Sequence, residues 1–158
     1  MEKERLFIMK QKMEKAVLNI KNAKVAECEA INKSAQKYVS KNIAECKKVA
    51  CELKKADAAY AKAHDAFTKK HDAPNQQTLI NAKARLEDCI TGYNTIVGNI
   101  TSALNTIKSN YDHVYESLKA VNPDKASLHA TDYDKYSQKI AKAMASIAKS
   151  LRNCKIEK

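Results

Sequence analysis

Apolar residues return at alternating steps of three and four along most of the chain, which is the spacing of a helical heptad seam. The first seam lies between Lys3 and about Lys70, a segment without Gly or Pro. Its regular part consists of Cys46, Val49, Leu53, Ala56, Tyr60, Ala63 and Phe67. Upstream it continues less regularly through Leu6, Met9, Met13, Val17 and Ile20. It then slips around Lys24 and resumes at Cys28, Ile31 and Ala35.

This slip raises the question of whether the first helix is continuous. Asn42 and Glu45 have the spacing of a capping box, a pattern found at helix starts. The polar segment around them could therefore divide one helix into two. Both possibilities stay open at this point.

Two prolines mark the ends of the first two helices. Pro74 lacks an amide hydrogen and restricts Ala73, so a turn is expected near it. The second seam is formed by Leu86, Ile90, Tyr93, Val97, Ile100, Leu104, Ile107, Tyr111, Val114, Leu118 and Val121. Asn122 and Pro123 resemble a cap with the first helical residue, and Thr131 with Asp134 indicates a further helix start. The last seam comprises Tyr133, Tyr136, Ile140, Met144, Ile147 and Leu151.

The pattern therefore predicts an all-α fold, with helices over about 3–71, 76–121 and 132–154. We expect a single helical domain of residues 1–158, arranged as an elongated antiparallel hairpin or three-helix coiled-coil bundle. If the second helix folds back about Pro74, facing residues have numbers that add to about 148. A third helix that extends past Pro123 would then cover the start of the first, and we favour this arrangement. The alternative is a fold-back at Pro123, which makes a shorter bundle with a protruding N-terminal arm.

Charge is absent from "CITGYNTIVGNITSALNTI", residues 89–107, although 30% of the chain is charged. Small polar side chains suit a helix that is covered on two sides, because burying a charge is costly. The second cover would be the third helix or the same helix of a second molecule. Because homodimers are the commonest oligomers, we expect a homodimer. The candidate residues for this second interface are Gly92, Thr95, Gly98, Asn99, Ser102 and Asn105.

The net charge of +11 is concentrated outside the second helix. Residues 1–72 carry 17 − 10 = +7, residues 73–121 carry 4 − 4 = 0, and residues 122–158 carry 8 − 4 = +4. Lysines recur every seven residues along the first helix, and acidic residues fall at other heptad positions. Such a face could be a solvated coiled-coil exterior or could attract an anionic surface. The candidate residues are Lys41, Lys47, Lys48, Lys54, Lys55, Lys62 and Lys69.

The sequence contains no recognisable catalytic or metal-binding motif, so we expect neither an enzyme nor a cofactor. The five cysteines include no CxxC pair and are odd in number, which favours free thiols in a reducing compartment. His64-Asp65 is repeated as His71-Asp72, but histidines two helical turns apart cannot share one ion. Nucleic acid is a less favoured partner, because 26 of the 29 basic residues are lysines and the tyrosines lie mainly on the seams. No apolar run is long enough to span a membrane or form a signal peptide, so we expect a cytoplasmic protein that could associate peripherally with membranes.

The segment "CKKVACELKKADAAYAKAHDAFTKKHD", followed after a turn by "AKARLEDCITGYNTIVGNITSALNTIKSNYDHVYESLKAV", resembles the coiled-coil core of the BAR-domain superfamily. The resemblance covers about half of the chain. It implies an antiparallel helical dimer whose basic face binds anionic, curved membranes. In that case the neutral helix would contribute to the dimer interface, and the lysines from Lys41 to Lys69 would be a candidate lipid-facing surface. The alternative is a helical scaffold that binds another protein, with the charges serving solubility and specificity.

Overall fold

The computed structural model describes the backbone of residues 2–151 and the side chains of most residues from Val25 onward, together with Glu4 and residues 7–9, 11 and 12. Three α-helices account for the described chain: α1 (Glu2–Lys69), α2 (Ala73–Lys119) and α3 (Pro123–Ser150). The described part contains no strand, which confirms the all-α prediction. The side chains of Leu6, Met13, Val17 and Ile20, and all of Cys154, lie outside the described residues.

Helix α1 is continuous, so the break considered near Asn42 does not occur. The Asn42 side chain donates to the Tyr38 carbonyl four residues earlier, at 2.8 Å, and is therefore an interior residue and not a cap. From Val25 onward the seam keeps one register, while the side chains just before the expected slip, from Met13 to Lys24, lie outside the described residues. The buried residues of α1 include a strict sevenfold series, Val25, Asn32, Val39, Cys46 and Leu53.

Asn32 explains why this register was missed. It occupies a buried seam position and is only 4% exposed, whereas its neighbour Ile31, chosen from its hydrophobicity, is 50% exposed. A polar residue at a core position interrupts the apolar pattern without interrupting the helix.

The turn between α1 and α2 is shorter than expected because Asp72 caps α2. Its carboxylate accepts a hydrogen bond from the Asn75 amide at 2.9 Å, and its carbonyl accepts one from the Gln76 amide at 3.0 Å. Helix α2 therefore begins at Ala73 instead of residue 76. Pro74 lies within the first helical turn, where its missing amide hydrogen removes no intrahelical bond.

The start of α3 was predicted too late. The Asn122 side chain accepts a hydrogen bond from the Lys125 amide at 3.2 Å, and Pro123 is the first helical residue, as the sequence indicated for this pair. The second start expected at residue 132 is wrong: the Thr131 hydroxyl donates to the Ser127 carbonyl at 3.0 Å, inside a continuous helix. One adequate cap is sufficient, and no Gly or Pro follows Pro123 to end the helix.

The chain forms two compact units. Unit 1 comprises Met1–Lys37 and Ala103–Gln138, so it takes a segment from each helix. Its apolar cluster contains Val25, Val114, Leu118 and Ala126, with Cys28 and Tyr115 packed against them.

Within unit 1, the end of α2 and the start of α3 run antiparallel. The Tyr111 ring lies 4.4 Å from the His129 ring and 5.2 Å from the Tyr133 ring, measured between centroids. Tyr111 precedes the turn at Asn122, while both partners follow it. These contacts belong to the fold-back alternative, and the favoured extension of the third helix past Pro123 is wrong here. A connection of only a few residues favours antiparallel neighbours.

Unit 2 comprises Tyr38–Ser102 and Lys139–Lys158 and again takes a segment from each helix. Its cluster is formed by Leu53, Ala56 and Leu86, and the partly buried Tyr60, Cys89, Ile90, Tyr93 and Leu151 pack against it. Leu53 is 1% exposed, and burying such a side chain contributes about 1.5–3 kcal/mol.

The register between α1 and α2 in unit 2 differs from the expected one. A turn centred on Pro74 would place Leu86 opposite Lys62, whereas Leu86 packs with Leu53 and Ala56. The difference arises because α1 ends at Lys69 and the turn therefore lies before Pro74.

Candidate functional site

The first candidate surface is the outward side of α1 within unit 2. The inner side is identified by its buried residues, Val39, Ile43, Cys46, Ala50, Leu53, Ala56 and Ala63. All seven lysines proposed from the sequence are exposed, and we call them the lysine face: Lys41, Lys47, Lys48, Lys54, Lys55, Lys62 and Lys69. The heptad spacing places these lysines away from the seam. The structure therefore brings together, on one continuous helix, all seven lysines that the sequence indicated.

The lysine face is extended. Five lysines, at sevenfold steps from Lys41 to Lys69, follow one another about every 10 Å, and the row spans about 42 Å. Lys47 and Lys54 are sequence neighbours of Lys48 and Lys55, and they point about 100° away from the row. Steps of about 10 Å exceed the screening length at physiological ionic strength, so mutual repulsion within the row is weak.

The acidic side chains are less well segregated from this face than expected. Glu45 follows Lys41 by four residues, and Glu52 follows Lys48 by four, so each carboxylate borders the row. Within the described residues, none of the seven ammonium groups lies within ion-pair distance of a carboxylate. The net charge from Lys41 to Lys69 is 7 − 4 = +3.

The second candidate surface lies on the uncharged part of α2. Gly92 and Asn99 are half-buried, whereas Thr95, Gly98, Ser102 and Asn105 are exposed. Asn105 belongs to unit 1 and the other five residues belong to unit 2. A Cβ atom added at either glycine would meet no atom within 4 Å, so packing within the chain does not require glycine at these positions.

The hydroxyl groups near this surface bond to their own helix. Thr95 donates to the Thr91 carbonyl at 2.9 Å, and Thr101 donates to the Val97 carbonyl at 3.0 Å. These two hydroxyl groups therefore have a partner within their own helix and do not need one from another surface.

The charge-free stretch is covered on two sides at its N-terminal end. Cys89, Ile90 and Tyr93 of α2 belong to one cluster with Leu53 of α1 and with Leu151, the residue directly after α3. The C-terminal end of the third helix therefore supplies a cover, which is one of the two alternatives drawn from the sequence. Gly98 and its exposed neighbours are not accounted for by this packing.

Unit 1 contains a partly buried polar layer that the sequence analysis missed. Its centre is formed by Gln36, Tyr111, His129, Tyr133 and Tyr136, which ring contacts, the hydrogen bond between Gln36 and Tyr111 and the electrostatic effect of Tyr111 on Tyr136 connect. We include Asn32, one helical turn before Gln36, and Asn110, next to Tyr111, because each has a buried polar atom without a partner in the described structure. Four of its buried polar atoms have no hydrogen-bond partner in the described structure: Asn32 Oδ1, Asn110 Nδ2, His129 Nε2 and the Tyr136 hydroxyl. The available signal was the sevenfold spacing of Asn32 from Val25 and Val39.

The polar layer perturbs its ionisable groups. Burial lowers the pKa of His129, and Glu29 and Asp132 oppose this effect while Lys125 adds to it. Burial raises the pKa of Tyr111, with Asp132 and Glu29 acting in the same direction and a hydrogen bond with the Gln36 side chain opposing it. Burial, followed by Tyr111, raises the pKa of Tyr136. The layer therefore favours the neutral forms of His129, Tyr111 and Tyr136.

In unit 2, burial raises the pKa values of Tyr93 and the Cys46 thiol, and Cys46 further raises that of Tyr93. Cys28, Cys46, Cys51 and Cys89 are free thiols. Among the side chains that the structure describes, no group of three or more His, Cys, Asp or Glu residues could hold a metal ion. His64 and His71 are exposed, and their rings contact Tyr60 and Phe67 at centroid distances of 6.2 and 4.7 Å.

Over the described part of the chain, no helix combines the length and the hydrophobicity that crossing a bilayer requires. Comparison of the sequence and structure with protein-family models, curated proteins and solved structures finds no match.

Proposed function

We propose that the chain is a non-enzymatic helical interaction module whose lysine face binds an anionic membrane surface. One observation carries this proposal: seven exposed lysines lie on a continuous helix, and none is paired with a carboxylate of the described residues. Each lysine near an anionic bilayer contributes about 1 kcal/mol at most, so the five in the row supply roughly 5 kcal/mol. Association of this kind is peripheral and weakens as salt is added.

The architecture that goes with this function is an elongated antiparallel coiled coil of three helices, similar in character to the BAR-domain core. The antiparallel contacts of Tyr111 with Tyr133 and the shared cluster of Leu53, Leu86 and Leu151 support it within each unit. A long helix with an exposed cationic row presents many charges to a surface at once, and this multiplicity favours a membrane over a compact anionic ligand.

A homodimer is the second part of the proposal, with the exposed part of the uncharged α2 face as its interface. Most of the chain is basic, so two copies repel each other over much of their surface, whereas α2 is neutral. Glycine costs about 1 kcal/mol in a helix relative to alanine, and nothing within the chain requires it at Gly98. Close approach of a second copy's backbone at this face explains both the lack of charge on α2 and the glycine at position 98.

The membrane proposal is tested by co-sedimentation with liposomes that contain phosphatidylserine, at low and at physiological ionic strength. In the test variant, Lys41, Lys48, Lys55, Lys62 and Lys69 are all changed to Glu. The control variant carries the same five changes at exposed lysines elsewhere: Lys33, Lys37, Lys83, Lys108 and Lys119. Both variants have a formal charge of 11 − 10 = +1, so a difference between them reports position and not total charge.

We expect wild-type protein to bind, more strongly at low ionic strength, and the lysine-face variant to lose binding while the control retains a substantial part of it. Circular dichroism checks that helicity is unchanged in both variants. Absence of wild-type binding at either salt concentration would contradict the proposal. A stable complex with a protein instead of lipid would then favour a scaffold, whose surface is the uncharged α2 face.

A further inference from the structure

The polar layer of unit 1 places one histidine among groups from three helices. His129 on α3 stacks on Tyr111 of α2, with ring centroids 4.4 Å apart, and Glu29 of α1 acts on both rings electrostatically. On its own helix, Lys125 and Asp132 are the charged groups that act on His129. The remaining histidines, His64, His71 and His113, are all exposed.

The surroundings of the His129 imidazole disfavour its protonated form. Its Nε2 atom is buried and has no hydrogen-bond partner in the described structure. The other buried polar atoms of unit 1 without a partner in the described structure belong to Asn32, Asn110 and Tyr136. Tyr136 is linked to the same group because Tyr111, on which His129 stacks, acts on it electrostatically. Unit 1 therefore contains polar atoms that its packed side chains leave without a hydrogen-bond partner.

We propose that the polar layer around His129 is a pH-sensitive switch, in which protonation of the imidazole loosens the packing of unit 1 while unit 2 stays packed. An imidazolium ring has an N–H donor at Nε2, and no side chain or backbone group of the described residues accepts a hydrogen bond from this atom. Separation of the helices admits water to this atom and to the orphaned atoms of Asn32, Asn110 and Tyr136. This switch does not depend on what the lysine face binds, because the lysines of that face belong to unit 2.

The direction of the pH effect follows from proton linkage. Burial lowers the pKa of His129 in the packed state, so the opened state takes up the proton first as the pH falls. The stability that this histidine contributes is present above about pH 6.5, the ordinary value for histidine, and is lost below it. In unit 2 the shifted groups, Cys46 and Tyr93, titrate in the alkaline range and do not respond to mild acid.

Hydrogen–deuterium exchange of the full chain tests the switch, at about pH 7.5 and about pH 5.5, with exchange times corrected for the intrinsic effect of pH. At the lower value exposed carboxylates stay largely ionised, so the imidazoles are the main groups that titrate. We expect exchange in the helical segments of unit 1 to accelerate by up to about tenfold per pH unit below 6.5. The segments of unit 2 should keep their protection.

Two substitutions locate the effect. His129→Gln keeps a neutral polar side chain that cannot be protonated, so its unit 1 should lose the response to acid. His113→Gln removes an exposed histidine from the same unit and should leave the response intact. An unchanged response in His129→Gln, an equal response in unit 2, or no response in wild type would overturn the proposal.

A second measurement does not depend on the folding of any variant. Nuclear magnetic resonance titration of the wild-type protein should show the His129 imidazole protonating below the ordinary histidine value of about pH 6.5. Protonation of His129 at or above that value would overturn the switch even if His129→Gln fails to fold.

Discussion

Three residues of similar polarity have three different roles here. Asn32 is buried in the core of unit 1, Asn42 bonds back to the Tyr38 carbonyl within α1, and Asp72 caps α2. Side-chain chemistry allows each of these roles, and the position of the residue relative to the helix and its neighbours selects one. Asp72 is the residue whose role is easiest to measure, because its carboxylate has a short bond to a single amide.

Replacement of Asp72 by Ala should lower the free energy of unfolding by about 1 kcal/mol, since the Asn75 amide loses its partner. Asp72→Asn should retain most of the stability, because asparagine is an equally good cap. The same variant loses the ion pair with Lys70 at 3.6 Å, which is exposed and contributes little. Urea denaturation of the two variants beside wild type measures the difference. Equal stability of Asp72→Ala and wild type would show that α2 does not depend on this cap.

At the scale of the helix, seam patterns located α1 and α2 well and misplaced the start of α3. Helix α1 is a single element because its seam keeps one register through Asn32 to Leu53. Over residues 89–107, helix α2 combines a buried seam with an outward face that lacks charge, and this combination distinguishes it from α1. The exposed Gly98 at the centre of that face makes the proposed dimer testable.

Gly98→Lys should weaken self-association by at least about tenfold in Kd, because a two-fold interface would bring two new ammonium groups together. Lysine forms helix better than glycine, so the variant should stay folded. Ala84→Lys is the matched control, an exposed change on the same helix outside the charge-free stretch. Sedimentation equilibrium over a range of concentrations gives the Kd of each variant. Wild type that is monomeric throughout, or dimers of Gly98→Lys as stable as the control, would contradict the interface.

At the scale of the whole molecule, the two units have different buried chemistry. Unit 1 contains the polar layer, whereas the cluster of unit 2 is apolar apart from two partly buried tyrosines and Cys89. Acid should therefore act on unit 1. Alkali should act on both units, because Tyr93 lies in unit 2 while Tyr111 and Tyr136 lie in unit 1.

The alkaline response follows from the raised tyrosine pKa values. Burial raises the pKa of Tyr93, Tyr111 and Tyr136 in the folded chain, so the unfolded chain releases these protons first. The resulting stability is present below about pH 10 and is lost as the pH rises through the folded values, by at most about 1.4 kcal/mol per pH unit for each proton. Urea midpoints from about pH 8 to about pH 11 should fall less steeply in Tyr93→Phe than in wild type. Tyr38→Phe, at an exposed position, should follow wild type, and equal slopes for both variants would contradict this assignment.

The sequence by itself determined the helical class, the seam from Cys46 to Phe67, the cap at Asn122 and Pro123, and the exposed lysine face. These features depend on local periodicity and backbone chemistry, which a single chain segment carries in full. Only the tertiary structure decided that Asn32 lies in the core and that Tyr111 meets His129. These depend on which residues distant in sequence pack together. The direction of α3 also belongs to the tertiary structure, because the last seam is compatible with either direction. The short connection after α2 brings the first turns of α3 back onto Tyr111.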